Sequence, residues 1–388
     1  MILRRKTREV PCGNIAFGGH NPVWVQSMCS THTENLPATL AEIGRMQDAK
    51  CELIRCTVRD PAGLAAIPAI QAAIKVPLIC DIHFDQRMAL GCIDLKVDKV
   101  RINPGNLGNE RTRNRLFKEV VDAAKNKGVC MRVGVNSGSL EKDLLEKYGY
   151  PCPEALVESA LRWIEMAEGW GFHNMVISCK SSDVQTMVES YTLLGEKCEY
   201  PLHLGVTEAG PPPYAVVKST AGLAPLLLKG IGDTIRCSLL APPEEEVPVC
   251  YEILQATGRR VLRPEIIACP TCGRIEIDLV KAVKEIEAAI LKRGIKKPVK
   301  ISVLGCVVNG PGEAREADVG IAAGRGQGIL FRGGEPIRKV QESEFVTALM
   351  EEVEKFIAER DAKELAEAAA AAGGAGVPDG ANAASAVR

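Results

Sequence analysis

The sequence predicts an α/β chain: a (β/α)8 barrel of the TIM type, followed by a smaller α+β domain. Three observations carry that expectation. Between residues 23 and 257, short β-branched runs alternate with helical periodicity eight times, the repeat of a barrel built from βα units. The runs are short and apolar enough to be buried on both sides, as strands of a parallel sheet are. No G-x-G-x-x-G follows the first of them, which counts against the rival doubly wound sheet with a dinucleotide site.

The expected strands occupy residues 23–28, 53–57, 77–81, 99–102, 131–135, 175–178, 202–206 and 234–238. Helices are expected, among others, over 37–49, 61–74, 111–126, 153–168, 183–197, 214–228 and 244–256. Pro37, Pro61 and Pro153 stand just inside three of these starts, where a missing N–H costs the helix nothing. The barrel domain then spans 1–257, and G-R-R-V-L-R-P at 258–264 reads as a linker. A second domain over 265–363 offers a cysteine turn and a helix at 275–291. Strands follow at 299–304 and near 319–322, 328–332 and 337–340, and a helix closes it at 343–363. Residues 364–388 are rich in Ala and Gly and are expected to be a disordered tail, having nothing to bury.

Bulk properties narrow the function classes. Hydrophobic residues make up 46% and charged residues 25%, ordinary for a soluble globular chain. A net charge of −1 leaves no electrostatic footprint for nucleic acid or an anionic membrane. No apolar run approaches the roughly 20 residues needed to span a bilayer. Arg4, Arg5, Lys6 and Arg8 are read as flanking an N-terminal strand, since no presequence follows them. The 15 cysteines are odd in number and scattered through apolar runs, which fits buried thiols in a reducing, cytoplasmic setting.

Two groups of residues carry the chemistry. The active site of such a barrel lies at the C-terminal ends of its strands. Here those ends bear Arg55, then Asp81 with His83, Arg101 with Asn103, Arg132 with Asn136, Lys180, His203 with Glu208, and Arg236 with Ser238. Four arginines and a lysine at one mouth repel each other unless an anion compensates them, and guanidinium forks fit phosphate oxygens. A phosphate or diphosphate ester is the natural guest, a structural ion-pair network the alternative. His83 and His203 are each as readily satisfied core residues as proton donors. The second group is Cys269 and Cys272 in C-P-T-C-G, with Cys306 in G-C-V-V-N-G-P-G-E; no further Cys and no His follows residue 258. A structural zinc site wants four closed ligands, so a barrel thiol such as Cys29 or Cys179 would have to complete one. Three thiolates instead suit an iron–sulfur cluster with one exceptional iron. The turn at 309–312 brings Glu313 back towards Cys306, although an acid there also suits a helix start.

Longer stretches carry a resemblance. D-I-H-F at 81–84, R-I-N-P-G-N at 101–106, G-V-N-S-G-S-L-E-K-D-L at 134–144 and L-H-L-G-V-T-E-A-G at 202–210 are specific. So are A-C-P-T-C-G-R at 268–274 and G-C-V-V-N-G-P-G-E-A-R-E-A-D at 305–318. Together they resemble the 4-hydroxy-3-methylbut-2-en-1-yl diphosphate synthase family of the non-mevalonate isoprenoid pathway, in its compact bacterial two-domain form, over about residues 4 to 360. The resemblance implies reductive ring opening and dehydroxylation of 2-C-methyl-D-erythritol 2,4-cyclodiphosphate with two electrons. It implies a 4Fe-4S cluster held by Cys269, Cys272, Cys306 and Glu313, and substrate contacts from Arg55, Arg101, Arg132, Asn136, Lys180, Arg236 and Ser238. Glu208 falls on the family's proton-transfer glutamate, and Glu313 is counted with it as catalytic. The family is homodimeric, one subunit's cluster domain covering the other's barrel, and takes electrons from ferredoxin or flavodoxin. The chain departs from the family at Cys29, where threonine is usual, in I-S-C-K-S-S at 177–182, and in the prolines at 211–213. The rival functions are a non-redox iron–sulfur hydro-lyase acting on a phosphorylated substrate, and a zinc-bearing binding module.

Overall fold

The chain opens with a hairpin, β1 (Val10–Cys12) and β2 (Ile15–Phe17), ahead of the eight expected strands. Those strands are β3 (Trp24–Met28), β4 (Leu53–Thr57), β5 (Leu78–Ile82), β6 (Lys99–Ile102), β7 (Cys130–Asn136), β8 (Met175–Lys180), β9 (His203–Leu204) and β10 (Thr234–Ile235). This computed structural model describes residues 3–109, 111–306, 308 and 310–373. All eight strands run parallel, in the order β8-β7-β6-β5-β4-β3-β10-β9, and a bridge between Ile177 and Leu202 joins the two ends into a barrel. Outside lie α1 (Leu36–Asp48), α2 (Pro61–Ala73), α3 (Gln86–Asp94), α4 (Arg113–Lys127), α5 (Lys142–Tyr148), α6 (Pro153–Gly169), α7 (Val184–Lys197), α8 (Tyr214–Leu228) and α9 (Glu246–Ala256). Their apolar stripes and the outer faces of the strands form one aliphatic core.

Local chemistry explains the helix starts. Asp60 accepts from the Gly63 amide at 2.9 Å and Asp183 from the Thr186 amide at 2.7 Å, each satisfying an orphan donor of the first turn. Helix α3 is hard to read from periodicity because it is short and carries Gly91. That glycine is there for packing: a Cβ on it would lie 2.4 Å from Leu64 Cδ2 on α2. The hairpin plugs the barrel floor, where Val10, Cys12 and Phe17 pack on Leu53, Ile79, Cys130 and Val176. The basic N-terminal residues staple it down, Arg4 donating to Asp233 Oδ1 at 2.7 Å.

Several boundaries differ from expectation. Strands expected over 202–206 and 234–238 are two-residue β9 and β10; Arg236 N still donates to Leu204 O (3.1 Å), but Thr207 N has turned away to Ser181 O (3.2 Å). Arg236, Ser238 and Glu208 therefore stand on loops above the ladder. Conversely β8 extends through Lys180. Arg260 pairs with both Glu52 oxygens at 2.7 and 2.8 Å, so the expected linker at 258–264 starts within the barrel unit, Met1–Arg260.

The second unit, Val261–Arg388, contains β11 (Glu265–Ala268), α10 (Leu279–Arg293), β12 (Lys300–Leu304), α11 (Gly310–Arg315), β13 (Val319–Gly324), β14 (Gln327–Arg332), β15 (Glu335–Gln341) and α12 (Phe345–Gly373). Its sheet runs β11-β12-β13-β14-β15, parallel for the first three strands and antiparallel after. Helices α10 and α12 share one core with it, through Ile286, Ile290, Leu349 and Val353. Strand β11 was not anticipated, and α10 starts later than residue 275. Glu276 N is drawn to Gly305 O (3.0 Å), and Asp278 caps the helix on the Lys281 amide (3.0 Å). The expectation of disorder from residue 364 is corrected as far as Gly373, since α12 runs on through the alanines, the best helix formers. The remainder of that tail, 374–388, lies outside the described residues.

Candidate active site

Side chains alternate along a strand, so every second residue of each barrel strand points inward. Register then sets Met28 beside Arg55, Asp81 beside Arg101, Arg101 beside Arg132, and Asn136 beside Lys180. Asp81 is the hub. Its oxygens lie 3.2 Å from Arg101 Nη1, 3.7 Å from Arg55 Nε and 3.6 Å from His83 Nε2. Burial pushes its carboxyl upward, but Arg55 and Arg101, then His83 and Arg132, hold it well below the usual carboxylate range. Burial drops Arg55 to about 10; Asp81 opposes that, while Arg236 and Arg101 add to it.

Arg236 has the second carboxylate. Its Nε and Nη2 meet Glu246 at 2.9 and 2.8 Å, a bidentate fork, and Ser27 Oγ (2.7 Å) and the Leu239 amide (3.2 Å) fix the acceptor. The Met28 thioether accepts from Arg55 at 2.6 Å and faces Arg236 at 3.5 Å, bridging the two guanidiniums. Neither partner was foreseen. Glu246 ends an E-E-E run that looks like a helix start, and nothing in a strand-end methionine announces a polar role.

Among the described residues, no carboxylate pairs with Arg132 or Lys180 in this way. Both are buried, and Arg132 Nε and Nη1 make no hydrogen bond. Burial first, then the neighbouring arginines, hold both well below their ordinary values. Two glycines make room for the cationic heads. A Cβ on Gly205 would lie 2.9 Å from Lys180 Nζ, and one on Gly134 would lie 3.1 Å from Arg101 Nε and 3.2 Å from Ser178 Oγ. Asn136, its amide oriented to accept from Arg101 Nη2 at 3.1 Å, lies on the same wall. Ser238 is half-buried nearby along the chain from Arg236. His203 is fully buried inside the barrel, 3.4 Å from Thr234 Oγ1, and burial with the cations around it keeps the imidazole neutral. His83 is 41% exposed at the rim. Glu208 is exposed, and its φ of +55° is left-handed, a conformation that non-glycine residues hold only under constraint.

Five buried or half-buried cations thus share two carboxylates. Replacing Asp81 with Asn should cost roughly 3–5 kcal/mol near neutral pH, because it strands two guanidiniums. Its contribution is fully present above about pH 4, the unfolded carboxyl's value, and fades as pH falls below it. Denaturation curves with and without inorganic diphosphate should show the anion restoring part of the loss.

In the second unit, Cys269, Cys272, Cys306 and Glu313 line one cavity of about 320 Å³, with Pro270, Arg274 and Gly310. Cys306 is buried at the end of β12, Cys269 half-buried and Cys272 exposed. The Gly305 amide donates to Cys269 Sγ at 3.4 Å. Gly310 lets α11 press on β13, where a Cβ would meet Ala322 Cβ at 3.1 Å, and so sets Glu313 at the wall. Glu313 also lies in the first turn of α11, where an acid suits a helix start. Asn309, which opens the expected turn, lies outside the described residues. Among the described residues no three of these side chains close on a single metal ion. Three thiols and a carboxylate around one cavity are side chains that could hold a metal group there. Cys29 and Cys179 are buried in the barrel core instead, Cys29 facing Cys56 at 3.6 Å and Cys179 facing Leu156 O at 3.7 Å.

The GcpE TIM-barrel domain matches residues 7–251, and the GcpE protein C-terminal domain matches residues 265–355. The chain belongs to the GcpE family. A relative from Geobacillus thermodenitrificans is 49% identical over 97% of this chain and 99% of its own length. One from Thermodesulfovibrio yellowstonii is 50% identical over 92% of this chain and 100% of its own length. One from Aquifex aeolicus is 49% identical over 92% and 98%. All three are named 4-hydroxy-3-methylbut-2-en-1-yl diphosphate synthase (flavodoxin).

Proposed function

We infer that this GcpE chain is an oxidoreductase catalysing the reaction for which its relatives are named. It converts 2-C-methyl-D-erythritol 2,4-cyclodiphosphate to 4-hydroxy-3-methylbut-2-enyl diphosphate in isoprenoid precursor synthesis. The observation that carries this reading is the surplus of buried positive charge at the barrel mouth, which a diphosphate neutralises. Two electrons and one proton open the ring at a C–O bond and release water, leaving the diphosphate on the primary carbon.

Arg55, Arg101, Arg132, Lys180 and Arg236 bind the diphosphate, with Asn136 and Ser238 orienting it. These preorganised cations also stabilise the charge that collects on the diphosphate as the bond breaks. Glu208 passes a proton to the departing hydroxyl. Cys269, Cys272, Cys306 and Glu313 would hold a 4Fe-4S cluster, which would supply electrons one at a time. Flavodoxin, named for the relatives, or a ferredoxin is the donor. The working enzyme is a cytoplasmic homodimer; no helix among the described residues is long and apolar enough to cross a membrane.

Anaerobic reconstitution followed by iron, sulfide and turnover measurements tests the assignment. Product formed only with reduced flavodoxin or a chemical reductant supports it. Turnover without reductant would favour the hydro-lyase, and a colourless zinc protein would overturn the reading.

A further inference from the structure

Beneath the five cations of the mouth lies a sixth that the reaction as described does not use. Lys99 is on β6, one inward step below Arg101, and its register partner Cys130 is one inward step below Arg132. Two residues of strand set its Cα about 6.6 Å below that of Arg101. It has no accessible surface, and its ammonium makes no hydrogen bond. Beneath it is the Phe17 ring of the floor hairpin, 4.1 Å from Nζ. The titratable groups acting on it are Cys12 of the hairpin, Arg55 of β4, Cys130 and Arg132 of β7, and His203 of β9. Burial brings Lys99 down to about 8; the Cys12 and Cys130 sulfurs oppose the fall, and Arg132 and Arg55 add to it.

An unpaired, enclosed amine is a poor choice for a barrel floor, where a methionine would fill the same space without losing hydration. We propose that Lys99 is a positioning residue for the diphosphate site, which takes up a proton when the anion binds and then supports the bound charge from beneath Arg132. With the mouth empty, the cations above disfavour a charge on Lys99. A bound dianion cancels their field, and the ammonium form becomes the stable one. Arg132, whose Nε and Nη1 make no hydrogen bond, stands on β7 one inward step above the register partner of Lys99 and carries the effect upward.

This inference rests on the proposed substrate, which is itself the best probe: a cyclic diphosphate diester has no ionisation of its own near pH 8. Titration calorimetry of the cluster-loaded, oxidised enzyme with 2-C-methyl-D-erythritol 2,4-cyclodiphosphate, in two buffers of different ionisation enthalpy at pH 8, counts the protons. The wild type should take up more protons per substrate than Lys99→Met, because burial leaves part of Lys99 neutral before the anion binds. Lys99→Met should melt at a higher temperature yet bind substrate about tenfold more weakly, with KM raised and kcat largely kept. A purely structural lysine would give the reverse, lower stability with unchanged binding. Lys99→Arg, permanently charged, should keep the affinity and lose the extra proton. Equal proton counts in the wild type and Lys99→Met, or equal affinities, overturn the proposal while leaving the function intact. A wild type that does not bind the substrate at all overturns both.

Discussion

Cys306→Ser should give a protein that folds but is colourless, with iron content near zero and turnover reduced at least ~1,000-fold, as for loss of a metal ligand that no neighbour replaces. Serine holds its proton far more tightly than cysteine, so it supplies a poor anionic ligand to a soft iron site. The fold should survive, because the core of the second unit is carried by aliphatic residues such as Ile286, Ile301, Ile321 and Leu349. Iron and sulfide quantification, together with the visible iron–sulfur charge-transfer absorption, reads the outcome. The paired control is Cys29→Ser. That thiol is enclosed against Cys56, and its proton is held by the hydrogen bond with the Cys56 sulfur and then by burial. Full iron content in Cys29→Ser and none in Cys306→Ser would place the cluster on the second unit alone. Unchanged iron in Cys306→Ser would remove it from the ligand set.

The contrast between those two cysteines shows what the sequence made legible. Cys269, Cys272 and Cys306 stand out because they are the three cysteines after residue 258, set close to Gly and Pro in C-P-T-C-G and G-C-V-V-N-G-P-G-E, whereas Cys29 and Cys179 are among the twelve scattered through the barrel sequence. Strand identities were likewise readable, since β-branched runs recur between helical stretches. Strand lengths were not. Whether a residue such as Arg236 lies in the ladder or above it depends on where a neighbouring backbone turns away, and Thr207 turning to Ser181 is a tertiary event. The cations at the mouth were visible as a list, but their pairing was not. Asp81 serving Arg55 and Arg101, while Glu246 serves Arg236, depends on three-dimensional proximity across strands and a loop. Lys99 was hidden for the same reason, for a lysine at the start of a strand ordinarily reaches solvent. Here the β1–β2 hairpin closes that exit.

Glu208→Gln should retain the cluster spectrum and the affinity for substrate while turnover falls by roughly 100- to 10,000-fold, the range of a lost general acid. Two observations single this residue out. It is exposed above β9 while its neighbours Val206 and Ala209 are buried, and it keeps a left-handed φ of +55° that the surrounding chain must enforce. The Gly210 carbonyl, accepting from the Leu240 amide at 3.0 Å, and the Thr207 amide, donating to Ser181 O, clamp the loop on either side. Glu208→Gly should accordingly gain roughly 1 kcal/mol of stability by relieving that conformation, and lose the same turnover. Stability and activity moving in opposite directions is the signature of a residue held in place for chemistry. Glutamine with near-normal turnover would take Glu208 out of the proton path. The two defective chains also test the dimer. Glu208→Gln carries an intact cysteine cavity and Cys306→Ser an intact barrel. If each site joins one subunit's barrel to its partner's cluster, co-assembled mixed dimers should recover a single working site, and up to half the wild-type turnover per dimer. If each subunit is self-sufficient, every mixed dimer contains two dead sites and nothing returns.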